Sequence, residues 1–385
     1  MDLNQRTERL MNACADAILG LSCTHLKNTH GMRRAIRFYR FDFLCGAFLN
    51  TCGFGIVHKK MWLTGGEFPP RFHFLFYKGM ISCLYLEMIY EVVIMKTGLV
   101  LEGGALRTIF SAGVCDAFLD GELPMPDYTI GVSAGIAYGV SYLSRQSRRN
   151  LKLVTTYAND PRYMSMRNLL DRRNRSYFGL KFAYETIPNQ LLPFDYDTFE
   201  AYPGTVEAVV TNVDTGKAEY LPVPRRDAPN LVLEATCAIP LMFPVIEVDG
   251  RPYLDGGCTD PIPWKRAFEA GCDRIVVILT RERDYRKDFD SSFRMVKNAF
   301  RKHPEFMEAM RTRAERYNAS REELFALEQE GKVLVIAPED TLGCSRTEKD
   351  LEVLRGLWQA GYFAGRRCAE GIRAFWTTNG EALSC

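Results

Sequence analysis

The spacing of hydrophobic positions along the chain changes character near residue 95. Before that point periodicity is weak, and a Gly-Gly…Pro-Pro break runs from Gly65 to Pro70. From Met95 the pattern becomes regular. Leu99-Val100-Leu101 is a short apolar run of the kind that forms a buried strand. Then Leu106, Ile109, Phe110, Gly113, Val114, Ala117 and Phe118 recur at i, i+3, i+4, i+7, i+8, i+11 and i+12, which predicts one buried helix face. Tyr128–Val132 reads as the next strand and Ala134–Leu143 as a helix rich in small residues. Further strands are predicted at Thr205–Asn212, Val245–Val248, Ile275–Thr280 and Val333–Ile336, the second of these opening a hairpin that returns through Leu254. Residues 284–330 and 347–375 read as helices, with Thr347 and Asp350 in the arrangement of a capping box. This alternation predicts an α/β fold with a mainly parallel sheet covered by helices.

The pattern divides the chain into an N-terminal extension, 1–94, an α/β domain, 95–283, and a C-terminal, mostly helical region with one strand, 284–385. The extension holds four of the five histidines and five of the twelve cysteines, with 11 basic and 7 acidic residues. Two readings of it stand side by side: an over-long start ahead of a natural initiator at Met95, peripheral to the fold, or an irregular helical subdomain. Its apolar stretches are short of a membrane span. Phe43–Val57 is interrupted by Asn50 and three glycines, Gly79–Met95 by Glu87 and Glu91, and a spanning helix needs about 20 predominantly apolar residues.

Composition then narrows the function classes. The 385 residues carry 49 basic and 47 acidic side chains, so no overall field selects nucleic acid as a partner. The cysteines are too sparse for a disulfide scaffold and lack zinc-ligand spacing, so a zinc site is disfavoured and the chain reads as reduced and cytoplasmic. One local exception is Arg145–Lys181, where ten basic residues face only Asp160 and Asp171 and aromatic residues are interleaved. Such a stretch suits either a solvated surface or peripheral contact with an anionic membrane.

The sharpest chemical signal is Gly131-Val132-Ser133-Ala134-Gly135, a G-x-S-x-G turn between a strand and a helix. That context is a nucleophile elbow. Small neighbours let strand and helix crowd together, and the helix start favours negative charge developing on the serine oxygen. A second signal is the loop Gly103-Gly104-Ala105-Leu106-Arg107 at another strand-to-helix junction, where free backbone N–H groups suit an oxyanion hole or a phosphate cradle. It matches neither G-x-G-x-x-G nor a P-loop. The third is Asp255-Gly256-Gly257 after the predicted hairpin. Beyond residue 94 there is one histidine, His303, in the charged helix start Arg301-Lys302-His303-Pro304, so a base for Ser133 is expected to be a carboxylate, with Asp255 the best-placed candidate.

Together these pieces resemble the patatin-like phospholipase family: EGGALR with Arg107, GVSAG with Ser133, and DGG with Asp255, in the family's order. The segment Ala235–Pro244 resembles the family's approach to its catalytic Asp. Residues 159–164 (NDPRYM) and 194–199 (FDYDTF) resemble a bacterial subgroup with a C-terminal helical extension. The resemblance covers about 97–370. It implies an α/β/α sandwich and a lipid acyl hydrolase with a Ser133–Asp255 dyad, an oxyanion hole from Gly103, Gly104, Ala105 and Leu106, and support from Arg107, Gly131, Gly135, Gly256 and Gly257. The implied partner is a lipid or acyl ester, and the implied chemistry needs no metal and no organic cofactor. Two positions depart from the family pattern, since Ala105 and Thr108 stand where glycines are usual. Ala105 is expected to present its N–H with negative φ, and Thr108 to narrow the approach to the oxyanion site.

Overall fold

A computed structural model describes residues 95–227, 229–289 and 292–377; the expectations for 1–94 lie outside them. Eight strands form one sheet: β1 Thr97–Leu101, β2 Tyr128–Val132, β3 Thr205–Asn212, β4 Ala218–Pro222, β5 Ile246–Val248, β6 Arg251–Asp255, β7 Arg274–Ile278 and β8 Val333–Ile336. The helices are α1 Ile109–Asp120, α2 Ala134–Leu143, α3 Arg149–Tyr157, α4 Met166–Leu170, α5 Tyr196–Ala201, α6 Leu231–Thr236, α7 Trp264–Glu269, α8 Phe293–Ala299, α9 Pro304–Arg311, α10 Arg313–Gln329 and α11 Leu351–Thr377. A π-helical segment spans Phe182–Leu191.

The strand order is β5-β6-β3-β2-β1-β7-β8, with β4 also paired to β3. The central strands β3, β2, β1, β7 and β8 are mutually parallel, while β4, β5 and β6 pair antiparallel. Parallel strands are covered on both faces and so read as continuous apolar runs. Accordingly β1, β2 and β8 are buried along their whole length. Separate apolar clusters lie on the two sides of the sheet, one including Leu99, Leu101 and Ile136, the other Val100, Ile130 and Val277. This is the expected α/β/α sandwich. Among the described residues no helix is long and apolar enough to cross a membrane.

The α1 face drawn from periodicity is buried at every predicted position, but so are Ser111, Ala112, Cys115 and Asp116 on its other side. The reason is α11, which lies on α1 with the backbones in contact. A Cβ added at Gly113 would meet the Trp358 carbonyl at 2.1 Å, and one at Gly361 the Phe110 carbonyl at 2.0 Å. The C-terminal region thus extends the sheet through β8 and covers the first helix.

Several local expectations change. The capping box is displaced: α11 starts at Leu351, and Asp350 itself is the cap, its carboxylate accepting the Glu352 N–H at 2.8 Å. The helix expected from 284 begins later, because Asn318 binds both backbone groups of Lys287 and holds that stretch extended (2.8 and 3.0 Å). Pro304 separates α8 from α9. The antiparallel strand β4 was not foreseen, its side chains being only half-buried and so weakly patterned. Cys115, Cys237, Cys272 and Cys344 are free, buried thiols.

Candidate active site

The sheet register brings the serine and the aspartate together. In β2 the last residue, Val132, pairs with Val209, and in β6 the last residue, Asp255, pairs with Val210. One strand arrives parallel to β3 and the other antiparallel, so their C-terminal ends meet at adjacent residues of β3. Ser133 follows directly and turns the chain into α2.

That turn is strained. Ser133 has φ 54° and ψ −136°, a region that non-glycine residues enter only where surroundings force them. Its own N–H donates to the Thr236 hydroxyl at 2.8 Å, and that hydroxyl donates to the Val209 carbonyl at 2.5 Å. The flanking glycines are required by contact. A Cβ at Gly135 would sit 2.6 Å from the Leu101 carbonyl, and one at Gly131 2.8 Å from the Ile136 nitrogen. Thr236 lies within a segment the sequence reading singled out, but nothing in a lone threonine announced this role.

Asp255 is buried, and burial pushes its carboxyl above the usual carboxylate range. Opposing that are the neighbouring Ser133 side chain, the Gly257 N–H donating to Oδ1 (2.7 Å), and the charges of Arg313 and Arg346. Gly256 has no room for a side chain, since a Cβ would lie 2.2 Å from the Val209 carbonyl. His303 is elsewhere. It caps α9, faces Asp214 at 3.3 Å, and lines neither cavity at Ser133.

The glycine loop runs past Ser133. A Cβ at Gly103 would be 2.8 Å from the Ser133 Cβ, so the loop backbone and Ser133 share one small space. The loop is held by Glu102, which is buried; one carboxylate oxygen accepts the Thr280 N–H and the other the Tyr317 hydroxyl, both at 2.6 Å. Sequence reasoning assigned Glu102 no role, although a charged residue at the end of an apolar strand was a signal. The Thr280 hydroxyl binds the Gly103 carbonyl at 3.0 Å.

Within this loop three expectations need revision. Ala105 has φ +50°, not a negative value: the chain reverses from β1 into the turn Ala105–Thr108 at this residue. The Leu106 N–H is engaged with the Arg346 carbonyl at 3.3 Å, so it is not among the free donors. Thr108 is fully buried and lines neither cavity, so it does not narrow the approach. The N–H groups of Gly103, Gly104 and Ala105 have no intramolecular acceptor among the described residues.

Two cavities meet at Ser133 and Ala105. One is apolar, walled by residues such as Leu153, Phe178, Ile187, Phe194, Leu233 and Phe243. The other is cationic, its wall including Arg107, Arg281, Lys287, Arg313 and Arg346, along with Glu102 and Asp255. Of the basic stretch at 145–181, Arg148 pairs with Asp120 and Arg162 with Asp160, while Arg149 is buried in the apolar wall and donates to the Leu192 carbonyl at 2.9 Å. No cluster of three or more metal-ligating side chains occurs among the described residues.

Comparison with known proteins gives the following similarities. Residues 99–268 match the patatin-like phospholipase family model, and residues 303–377 match a domain of unknown function (DUF6363). Residues 99–268 are thus similar to the patatin-like phospholipase family. A curated relative, the uncharacterized protein YjjU of Escherichia coli (strain K12), is 31% identical over 204 residues, covering 48% of this chain. The chain spans about half the length of that relative (52%). Among solved structures, VipD from Legionella pneumophila aligns with a TM-score of 0.33 at 13% identity, over 72% of this chain and 67% of that one.

Proposed function

We propose that this chain is a lipid acyl hydrolase of the phospholipase A or esterase type, with Ser133 as nucleophile and Asp255 as general base. The observation that carries this reading is the meeting of a serine in a strained elbow with a buried carboxylate, set by adjacent register positions on β3. In this reading residues 95–283 form the catalytic unit and 284–385 complete the cationic wall.

The Ser133 hydroxyl attacks the ester carbonyl while its proton passes to Asp255. The tetrahedral oxyanion is met by the N–H groups of Gly103, Gly104 and Ala105, one such donor being typically worth roughly 3 to 4 kcal/mol. Collapse expels the alcohol, which takes the proton from Asp255 and leaves the acyl group on Ser133. Water, deprotonated by Asp255, then releases the carboxylic acid. An ordinary aspartate is a weak base for a hydroxyl, and the burial that raises the pKa of Asp255 brings it closer to its task. The apolar cavity receives the acyl chain.

A fluorophosphonate probe on wild type and Ser133→Ala, beside a p-nitrophenyl ester chain-length series, tests this. Labelling at Ser133 with turnover rising toward longer chains supports it. A folded wild type that neither labels nor turns over defeats the hydrolase reading and leaves a lipid-binding protein. Turnover confined to short chains points instead to a non-lipid esterase.

A further inference from the structure

The cationic cavity holds more positive charge than the chemistry at Ser133 uses. Its cations arrive from separate segments: Arg107 from the turn after β1, Arg281 and Lys287 from the stretch after β7, Arg346 from the loop after β8. Among the described residues none of these four has a carboxylate within ion-pairing distance. Their neighbours do. Arg283 pairs with Glu328 at 2.7 Å and Arg286 with Glu322 at 2.8 Å, so on the same stretch the outward-facing arginines are ion-paired and the inward-facing cations are not. The two carboxylates in the cavity wall accept neutral donors, Glu102 from Thr280 and Tyr317 and Asp255 from the Gly257 N–H, and Glu102 only partly offsets the charge of Arg107 and Lys287.

Arg107 is 8% exposed, and its Nε has no hydrogen-bond partner among the described residues. A buried guanidinium nitrogen without an acceptor is costly, and a cavity is where an outside acceptor would satisfy it. The crowding is visible in the protonation equilibria. Burial, then Arg281 and Arg346, lowers the pKa of Arg107. Burial, then Arg313 and Arg346, brings Lys287 down to about 8. Cations gathered against burial and mutual repulsion form a site for an anion.

The cavity also rejects a cationic head group. Tyr285 and Tyr317 are rings able to cradle an ammonium, but Arg281 lies over the first at 4.5 Å and Lys287 over the second at 5.1 Å. An ammonium entering here would meet guanidinium and ammonium groups with no free aromatic face at those rings.

We infer that this cavity is a head-group subsite for a phosphate carrying net negative charge, set by Arg107, Arg281, Lys287 and Arg346, so that acyl esters of glycerol phosphate are selected over zwitterionic choline or ethanolamine lipids. The assignment rests on the hydrolase reading for its orientation: acyl chain in the apolar cavity, ester at Ser133, phosphate among the cations.

Binding separates it from turnover. Full-length Ser133→Ala is titrated calorimetrically with sn-glycerol 3-phosphate, sn-glycero-3-phosphocholine and orthophosphate, and wild type is assayed on lysophosphatidate and lysophosphatidylcholine of one chain length. We expect glycerol phosphate to bind at least about tenfold more tightly than the choline ester, and kcat/KM to favour lysophosphatidate by about the same factor. Lys287→Met with Arg281→Gln should erase both differences; Arg346→Gln, at an exposed residue, repeats the test should that pair fail to fold. Equal binding of the two esters, or none, overturns the subsite. Orthophosphate binding with no preference for lysophosphatidate shows a free-anion site and overturns the head-group assignment. Intact glycerol phosphate selectivity with no ester turnover upholds the subsite and defeats the hydrolase reading instead.

Discussion

The two cavities that share Ser133 are built on opposite terms. The apolar one is continuous with the core: Ile187 is fully buried, Phe199 and Phe243 nearly so, and filling such space with aromatic and aliphatic side chains stabilises the fold. The cationic one holds charges that repel one another, an effect that Glu102 offsets only in part at Arg107 and Lys287. One wall is what folding produces unaided. The other opposes folding, so its persistence points to what the protein binds rather than to what holds it together.

Perturbing each wall tests this contrast. The largest effect is expected at the seam. Asp255→Asn should lower ester turnover by about three orders of magnitude or more, as removal of a catalytic base does. Thermal stability should be equal or higher, because a carboxyl with a raised pKa is more easily ionised unfolded than folded, so its charge at neutral pH opposes folding. Retained turnover would remove Asp255 from the reaction. For wild type the acid limb of the kcat/KM profile should lie above the ordinary aspartate range, and Arg346→Gln should move it further up, since Arg346 holds that pKa down.

Next, placing a charge in the apolar wall should be severe. Ile187→Asp buries an unpaired carboxylate and should cost about 3 to 5 kcal/mol in denaturant unfolding. A cost near zero would mean that the cavity is open to water and no different from its neighbour.

Removing a charge from the cationic wall should do the reverse. Lys287 has a folded pKa of about 8, below the value of 10.5 for an unperturbed lysine. Between those values the unfolded chain binds more protons, so wild-type stability should rise as pH goes from 8 toward 10. Lys287→Met should raise Tm at pH 7 and flatten that rise; a fall in Tm would contradict the description of this wall.

The smallest effect is at Ala105, where both cavities meet. Its φ of +50° is a conformation glycine adopts freely, so Ala105→Gly should stabilise by about 1 kcal/mol or less, the relief being partly offset by glycine's entropy. Thermal melts of the variant check it.

Much of the architecture was legible in residue order. Tyr128–Val132, Ala134–Leu143, Thr205–Asn212 and Val333–Ile336 form as their patterns predict, because each is a local periodicity buried on a sheet. The serine elbow and the DGG turn could be read because close backbone packing demands small residues at fixed spacing. Glu102 escaped notice, since its partners Thr280 and Tyr317 lie far along the chain.

What sequence by itself determined was therefore local: period, turn chemistry, and residues whose size or charge is unusual for their place. Tertiary structure decided the rest. Register on β3 set Val132 opposite Val209 and Asp255 opposite Val210, converting two distant motifs into one site. The reversal of the chain imposed a left-handed conformation on Ala105, and the Arg346 carbonyl claimed the Leu106 N–H. Arginines and a lysine that look like ordinary surface charges in the sequence became a cavity wall, because strand order brings the loops after β1, β7 and β8 to the same end of the sheet. Electrostatic energy depends on distances between residues, and those distances exist only in the folded chain.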